Sequence, residues 1–162
     1  MSEMEKLAAL LQRQKDDEID ARAKAEVEHG LWISSLHELF KQLELWLAPL
    51  VTNQTAQVKR GWVSISEKPV PALERTYEAP MMGLMIKDKA IEIKPVARYV
   101  IGAHGLVEFG NEAQGWKLTR HLLDGVECWK IRYVFMRQPS PNNDLTSDSF
   151  AQAIGQLLQG IK

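Results

Sequence analysis

The sequence holds a single cysteine, Cys128, so no disulfide can close within the chain. That excludes a disulfide-stapled secreted scaffold and makes a reducing compartment the expected setting. No stretch approaches the ~18 consecutive apolar residues that cross a bilayer. The opening residues Met1-Ser2-Glu3-Met4-Glu5-Lys6 carry acid where a secretory signal carries base, and the apolar piece Leu7–Leu11 is shorter than a signal core. The expectation is a cytoplasmic protein with no membrane partner. An excess of one charge is missing as well: 20 basic against 21 acidic side chains leave a net charge of -1. A histone-like binder is excluded on that balance, although a local patch is not. The four histidines, His29, His37, His104 and His121, form no i, i+4 pair, and Cys128 has no C-x-x-C partner. Neither a metal nor a cofactor is therefore expected. Gly102-Ala103-His104-Gly105 has no Lys-Ser/Thr behind it and enters no helical pattern, so it reads as a turn and not as a phosphate loop.

What is present fits a folded chain. Apolar residues make up 45% and charged residues 25%, ordinary for a globular protein. The length suits one domain with an appendage. Residues 1–29 read as a charged helical arm. Between positions 3 and 28 stand eight acidic and five basic residues among helix-forming types, with no proline or glycine. Leu7 and Leu11, then Ala21 and Ala25, lie one turn apart, but Gln14 and Glu18 interrupt the seam. The arm is expected as a solvated helix, with a coiled coil that needs a partner, or disorder, as the alternatives. Gly30 reads as a joint, and residues 30–162 as a single α+β domain. From Trp32 the spacing becomes 4, 3, 4, 3, 4 through Leu36, Leu39, Leu43, Trp46 and Leu50, widened by Ile33, Phe40 and Leu47. So broad a stripe packs on a sheet or forms a homo-oligomer seam. Pro49 predicts a helix end near Leu47.

After a polar link over residues 52–59 the period drops to two. Trp62, Ser64 and Ser66 alternate with Val63, Ile65 and Glu67, a short strand that Pro69 and Pro71 should break. Further strands are expected over 81–87 and 90–94, turning at Asp88-Lys89 with Ile86 opposite Ile91 and Leu84 opposite Ile93. Segments 98–101 and 106–109 read as two short strands or one bulged strand. Asp124-Gly125 is a strong two-residue turn signal inside a hairpin over 116–136. Residues 138–144 form a loop. A last helix, capped by Thr146 or Ser147, aligns Phe150, Ile154, Leu157, Leu158 and Ile161. Consecutive strands with no room for helical crossovers predict an α+β fold. A long N-terminal helical region packs on a mostly antiparallel β-meander sheet, closed by a C-terminal helix.

The Asp124-Gly125 turn fixes a register in which positions summing to 249 oppose one another. One face then holds Trp116, Leu118, Arg120 and their partners Tyr133, Ile131 and Trp129, with Arg120 able to lie over the Trp129 ring. The other face sets Lys117 against Arg132, Thr119 against Lys130 and His121 against Cys128. Like charges directly opposite are destabilising, so this face needs a reason. Either the side chains splay toward water and toward acids such as Glu92 and Glu108, or Lys117, Thr119, His121, Lys130 and Arg132 face an anionic partner. Positions 59–137 carry thirteen basic and nine acidic residues, which leaves the sheet mildly basic. Trp62, Trp116, Tyr99 and Tyr133 could stack on bases, but the spacing matches no RNA-binding signature.

Two chemical readings remain. Cys128 beside His121 and Lys130 has the ingredients of an activated thiol, although a strand cysteine more often packs. Asp88 followed by Glu92-Ile93-Lys94 matches the acid…acid-x-Lys pattern of metal-dependent nucleases, with turn and wet-face roles as the plain reading. The expected function is a non-catalytic interaction or adaptor module, oligomeric through its N-terminal helix, with a basic sheet face for an acidic partner. Nucleic-acid binding through that face and a nuclease-like enzyme are the alternatives.

Overall fold

A computed structural model describes residues 2–70, 73–110, 115–135, 138–139 and 142–159. The first element, α1 (Glu3–Thr52), is one helix of 50 residues. Ser2 caps it in a capping box with Glu5, the Ser2 hydroxyl accepting from the Glu5 N–H while the Glu5 carboxylate accepts from the Ser2 N–H. The expected joint at Gly30 is not there, because the helix runs through it. One glycine in a helix costs only about 1 kcal/mol against alanine, and packing on either side, at Ala25 and Trp32, outweighs that. The expected end near Leu47 is also overturned. Pro49 sits inside the last turns. The carbonyl it leaves unpaired is that of Leu45, an exposed residue, so water can satisfy the group.

The strands run in chain order across one antiparallel sheet: β1 (Ala56–Val70), β2 (Leu73–Ile86), β3 (Lys89–Ala97), β4 (Leu106–Gly110), β5 (Gly115–Leu123), β6 (Val126–Phe135) and β7 (Gln138–Pro139), with β8 (Asn143–Asp144) also pairing β6. The helix α2 (Ser147–Gln159) follows. This is the α+β meander that the periodicity predicts. Several limits differ. β1 absorbs part of the polar link and continues through Pro69, an edge position where no ladder bond is lost. The β2–β3 turn is Lys87-Asp88, not Asp88-Lys89, so Leu84 faces Ile91 and Met82 faces Ile93. Lys87 adopts φ 56, which the choice of turn residues did not signal. A slip of two residues preserves the face, so Ile91 and Ile93 are core all the same. Segment 98–101 is no strand; it contributes a single bridge, Val100 with Ala103. The expected loop at 138–144 pairs with β6 at both its described ends. The β5–β6 register follows the sum of 249 throughout, from Gly115 with Val134 to Leu123 with Val126.

The core lies between α1 and the sheet. Trp32, Leu36, Phe40, Leu43 and Leu47 face Ile65, Ala79, Met82, Leu84, Ile93, Val107, Leu118 and Ile131. Trp32 is fully buried; its indole N–H donates to the Tyr77 hydroxyl (3.0 Å) and its ring stacks on Trp129 at 6.3 Å. Thr146 caps α2 by accepting from the Ser149 N–H. Phe150 then packs against Phe109 and Trp46. Lys89 donates to the Leu158 carbonyl near the end of α2 (2.5 Å), where helix carbonyls lack partners. Ile161 and Met136 lie outside the described residues. Among those described, no helix is long and apolar enough to cross a membrane.

Candidate functional site

The outer face of the sheet places one row of side chains across four strands: Lys94, Glu108, Lys117 and Arg132. Glu108 thus stands between Lys94 and Lys117. Glu92 pairs with Lys94 at 3.0 Å, and Asp144, brought in by β8, pairs with Lys130. That bond raises the Lys130 pKa. Thr119 is buried, and its hydroxyl meets His121 Nε2 at 2.8 Å. Burial, then the neighbouring His104 and Lys130, lowers the His121 pKa. The structure therefore brings together all five residues of the sequence reading, but it also brings three acids among four cations. Arg132 retains a buried Nε with no hydrogen-bond partner among the described residues. Arg120 is not held over Trp129. Its Nε donates to Glu127 (2.5 Å) and a terminal nitrogen donates to the His104 carbonyl (3.2 Å), because the register sets Glu127 diagonally across on the same face.

The two chemical candidates fare differently. Asp88 is a turn residue, whereas Glu92 lies inside β3. Four residues of extended chain separate them by about 13 Å, too far to share a cation. Among the described residues no three His, Cys, Asp or Glu side chains could hold a metal. His121 and Cys128 are cross-strand neighbours, yet His121 is engaged with Thr119.

A polar junction that short-range pattern does not reveal lies where α1, the far half of the β1–β2 ribbon and the 98–99 segment meet. Glu67 accepts from the Tyr77 hydroxyl (2.5 Å) and the Tyr99 N–H (2.8 Å). The Tyr99 hydroxyl donates to Glu28 (2.8 Å). Glu28 also lies 3.9 Å from Arg98, whose guanidinium sits over the Tyr99 ring. Arg75 pairs with Glu26, and His29 meets Tyr77 edge-on at 4.6 Å. Burial, reinforced by the Glu67 carboxylate, pushes the Tyr77 hydroxyl pKa well up; burial and Glu28 push Tyr99 up to about 12. Burial lowers His29, against a smaller opposing pull from Glu67. The cleft lined by these groups has room for about 10 Å³, one water's worth and far below the ~300 Å³ of a small-molecule pocket. The junction fastens elements together; its size argues against a substrate site.

The remaining candidate is the first half of α1. Apart from half-buried Ala21, every residue from 2 to 24 is exposed, and the first buried one is Ala25. The helix thus leaves the sheet for about 30 Å. At 100° per residue, Met4, Leu7 and Leu11 share an arc of about 80° with Ala25, Trp32, Leu36, Leu43 and Leu47. Gln14 and Glu18 lie on the same arc between Leu11 and Ala25, so the apolar face is interrupted there and returns at the arm's tip, where Met4 is 73% and Leu11 55% exposed. No protein-family model matches the chain, and neither the curated proteins nor the solved structures yield a match.

Proposed function

We propose that the chain is a non-catalytic protein-interaction module that self-associates through the projecting half of α1. The observation that carries this reading is the apolar group at the arm's tip, Met4, Leu7 and Leu11, all exposed and aligned with the sheet-packing face of α1 beyond the interruption at Gln14 and Glu18. A helix held only at one end gains little from propensity alone, and covering an apolar stripe is the usual source of stability. The capping box at Ser2 and Glu5 closes the tip of the arm, which supports a helix formed over its whole length. Contact through the outer sheet face, with an acidic partner or a nucleic acid, has less behind it: Lys94, Lys117, Lys130 and Arg132 are matched by Glu92, Glu108 and Asp144, an excess of one cation. The test is sedimentation or light scattering on the full chain and on its L7E/L11E variant. The full chain is expected to exceed its 18.4 kDa monomer mass, and the variant to fall back to it with unchanged circular dichroism. A native chain that is monomeric across the micromolar range overturns the reading.

A further inference from the structure

The apolar tip of α1 and the sheet stand on the same side of one unbroken helix. Met4, Leu7 and Leu11 are exposed on the arc that, further along, carries Trp32, Leu36, Leu43 and Leu47 onto the sheet. Two helices in contact lie about 8–10 Å apart. Beyond Ala25, the first buried residue, that layer is already filled by the chain's own sheet. A second helix can therefore follow the seam only over residues 2–24, and only if it carries no domain past Ala25. Two arms joined in parallel break this condition, because the helix of the second copy would run on into the sheet of the first. They would also bring Glu18 against Glu18 in the seam, where like charges repel. Two antiparallel arms satisfy it, since each domain then lies beyond the tip of the other copy.

We infer that the arm pairs antiparallel with the arm of a second copy, centred near Ala9, so that the two domains stand at opposite ends of a rod. The pairing rests on the self-association of α1 and adds its direction and register. The free slot is about 30 Å long, the length of the arm itself. Within it the leucines meet their own counterparts. Leu7 of each copy lies against Leu11 of the other, and Leu10, 49% exposed beside the seam, meets Leu10 across the two-fold axis. Met4 comes level with Gln14, and Glu18 falls past the end of the opposing helix, where its carboxylate stays in water. The seam thus turns polar where the overlap stops, and sliding the arms further together would bring Leu7 onto Glu18. So short a contact makes a reversible dimer and not a permanent one. It also forms against charge, since residues 3–28 carry eight acidic and five basic side chains. Salt should therefore strengthen it. The competing contact, an acidic arm on the basic outer sheet face of a second copy, would weaken with salt.

Small-angle X-ray scattering on the full-length chain across the micromolar range, with the mass read from the same data, tests the direction. An antiparallel pair should reach about 130 Å end to end, against about 80 Å for two α1 helices side by side in parallel. Spin labels on Ala9→Cys and on Asp20→Cys, each with Cys128→Ser, test the register. Both sites are exposed and on the side of the arm away from the seam. The Asp20 labels should stand about 33 Å apart along the axis and the Ala9 labels level with each other. Added salt should raise the fraction of pairs. A particle of one-chain mass would remove the self-association and this pairing with it. A two-chain particle near 80 Å, equal distances at the two sites, or a pair that salt dissociates would leave self-association standing and overturn the antiparallel arm pairing.

Discussion

Trp32 is the residue on which three parts of the chain converge: Tyr77 from β2, Trp129 from β6, and the backbone of Gly105 where the 98–105 segment enters β4. A Cβ at Gly105 would lie 2.3 Å from Cζ3 of the Trp32 ring. The glycine is there because the indole occupies the space a side chain would need. The backbone at Gly105 is held in place as well, since the Arg120 N–H donates to the Gly105 carbonyl and the His104 N–H donates to the Arg120 carbonyl. The ring, enclosed on its other sides, cannot retreat without opening the core. Gly105→Ala should therefore destabilise the fold by about 1–3 kcal/mol, the usual cost of overpacking a filled interior. A urea titration checks it: the midpoint should fall with the slope unchanged. An unmoved midpoint would mean that the indole shifts freely. Cys128 and His121, by contrast, are neighbours whose chemistry the surroundings do not develop, because the imidazole is already occupied by the Thr119 hydroxyl.

Among the elements, α1 shows where local rules yield to tertiary contacts. Gly30 and Pro49 are both interruptions by propensity, and neither interrupts, since the flanking turns are fastened by Ala25, Trp32, Leu43 and Leu47. Gly30 is exposed, and a Cβ built on it meets nothing within 4 Å. Gly30→Ala should consequently raise stability by about 0.5–1 kcal/mol, by lowering the entropy of the unfolded chain without disturbing a contact. Thermal unfolding of the two proteins measures it, and a lower melting temperature would show that Gly30 marks a bend the helix needs. The same contest explains what could be read in advance. The β5–β6 hairpin was legible pair by pair because Asp124-Gly125 states its turn type; Asp124 and Gly125 take φ 52 and 78. The β2–β3 turn was not, because it places Lys87 in the left-handed region, which lysine does not advertise. The length of β1 and β2 was hidden by Pro69 and Pro80. Both stand where a strand has an open side: β1 is the edge, and β3 joins β2 only from Met82. The alternation that predicted the outer face was correct in register, yet the acids that temper it, Glu108 and Asp144, arrive from other strands. The junction of Glu28, Glu67, Tyr77 and Tyr99 draws on segments up to 71 positions apart, a separation no local period encodes.

For the molecule as a whole, that junction fixes how stability responds to pH. It ties α1, the β1–β2 ribbon and the 98–99 segment together through hydroxyls that must stay protonated to donate. Tyr99, held up to about 12 by burial and by its bond to Glu28, and Tyr77, raised by burial and Glu67, both keep their protons in the fold at pH values where an unfolded tyrosine, near 10, has begun to lose its own. A group with a raised folded pKa contributes stability that is complete below its unfolded value and is lost as pH rises through the window above it. Stability should hold to about pH 10 and then decline toward 12. The acid limb has the same logic with the opposite sign. His29 and His121 are lowered from 6.5 mainly by burial, so the unfolded chain takes up protons first and stability falls as pH drops below 6.5. Around His29 stand Glu67, Arg75, Tyr77, Arg98 and Tyr99, which line one cleft with it, and Glu67 accepts from both the Tyr77 hydroxyl and the Tyr99 N–H. Urea midpoints recorded between pH 5 and pH 11 should thus give a plateau bounded near the unfolded histidine and tyrosine values. Tyr99→Phe removes one titrating group and its bond to Glu28 alone. It should lower the plateau slightly and make the alkaline fall shallower. If the native chain unfolds at the same urea concentration at pH 9 and pH 11, or if the variant falls as steeply as the native chain, the tyrosine–carboxylate bonds do not hold α1 to the ribbon.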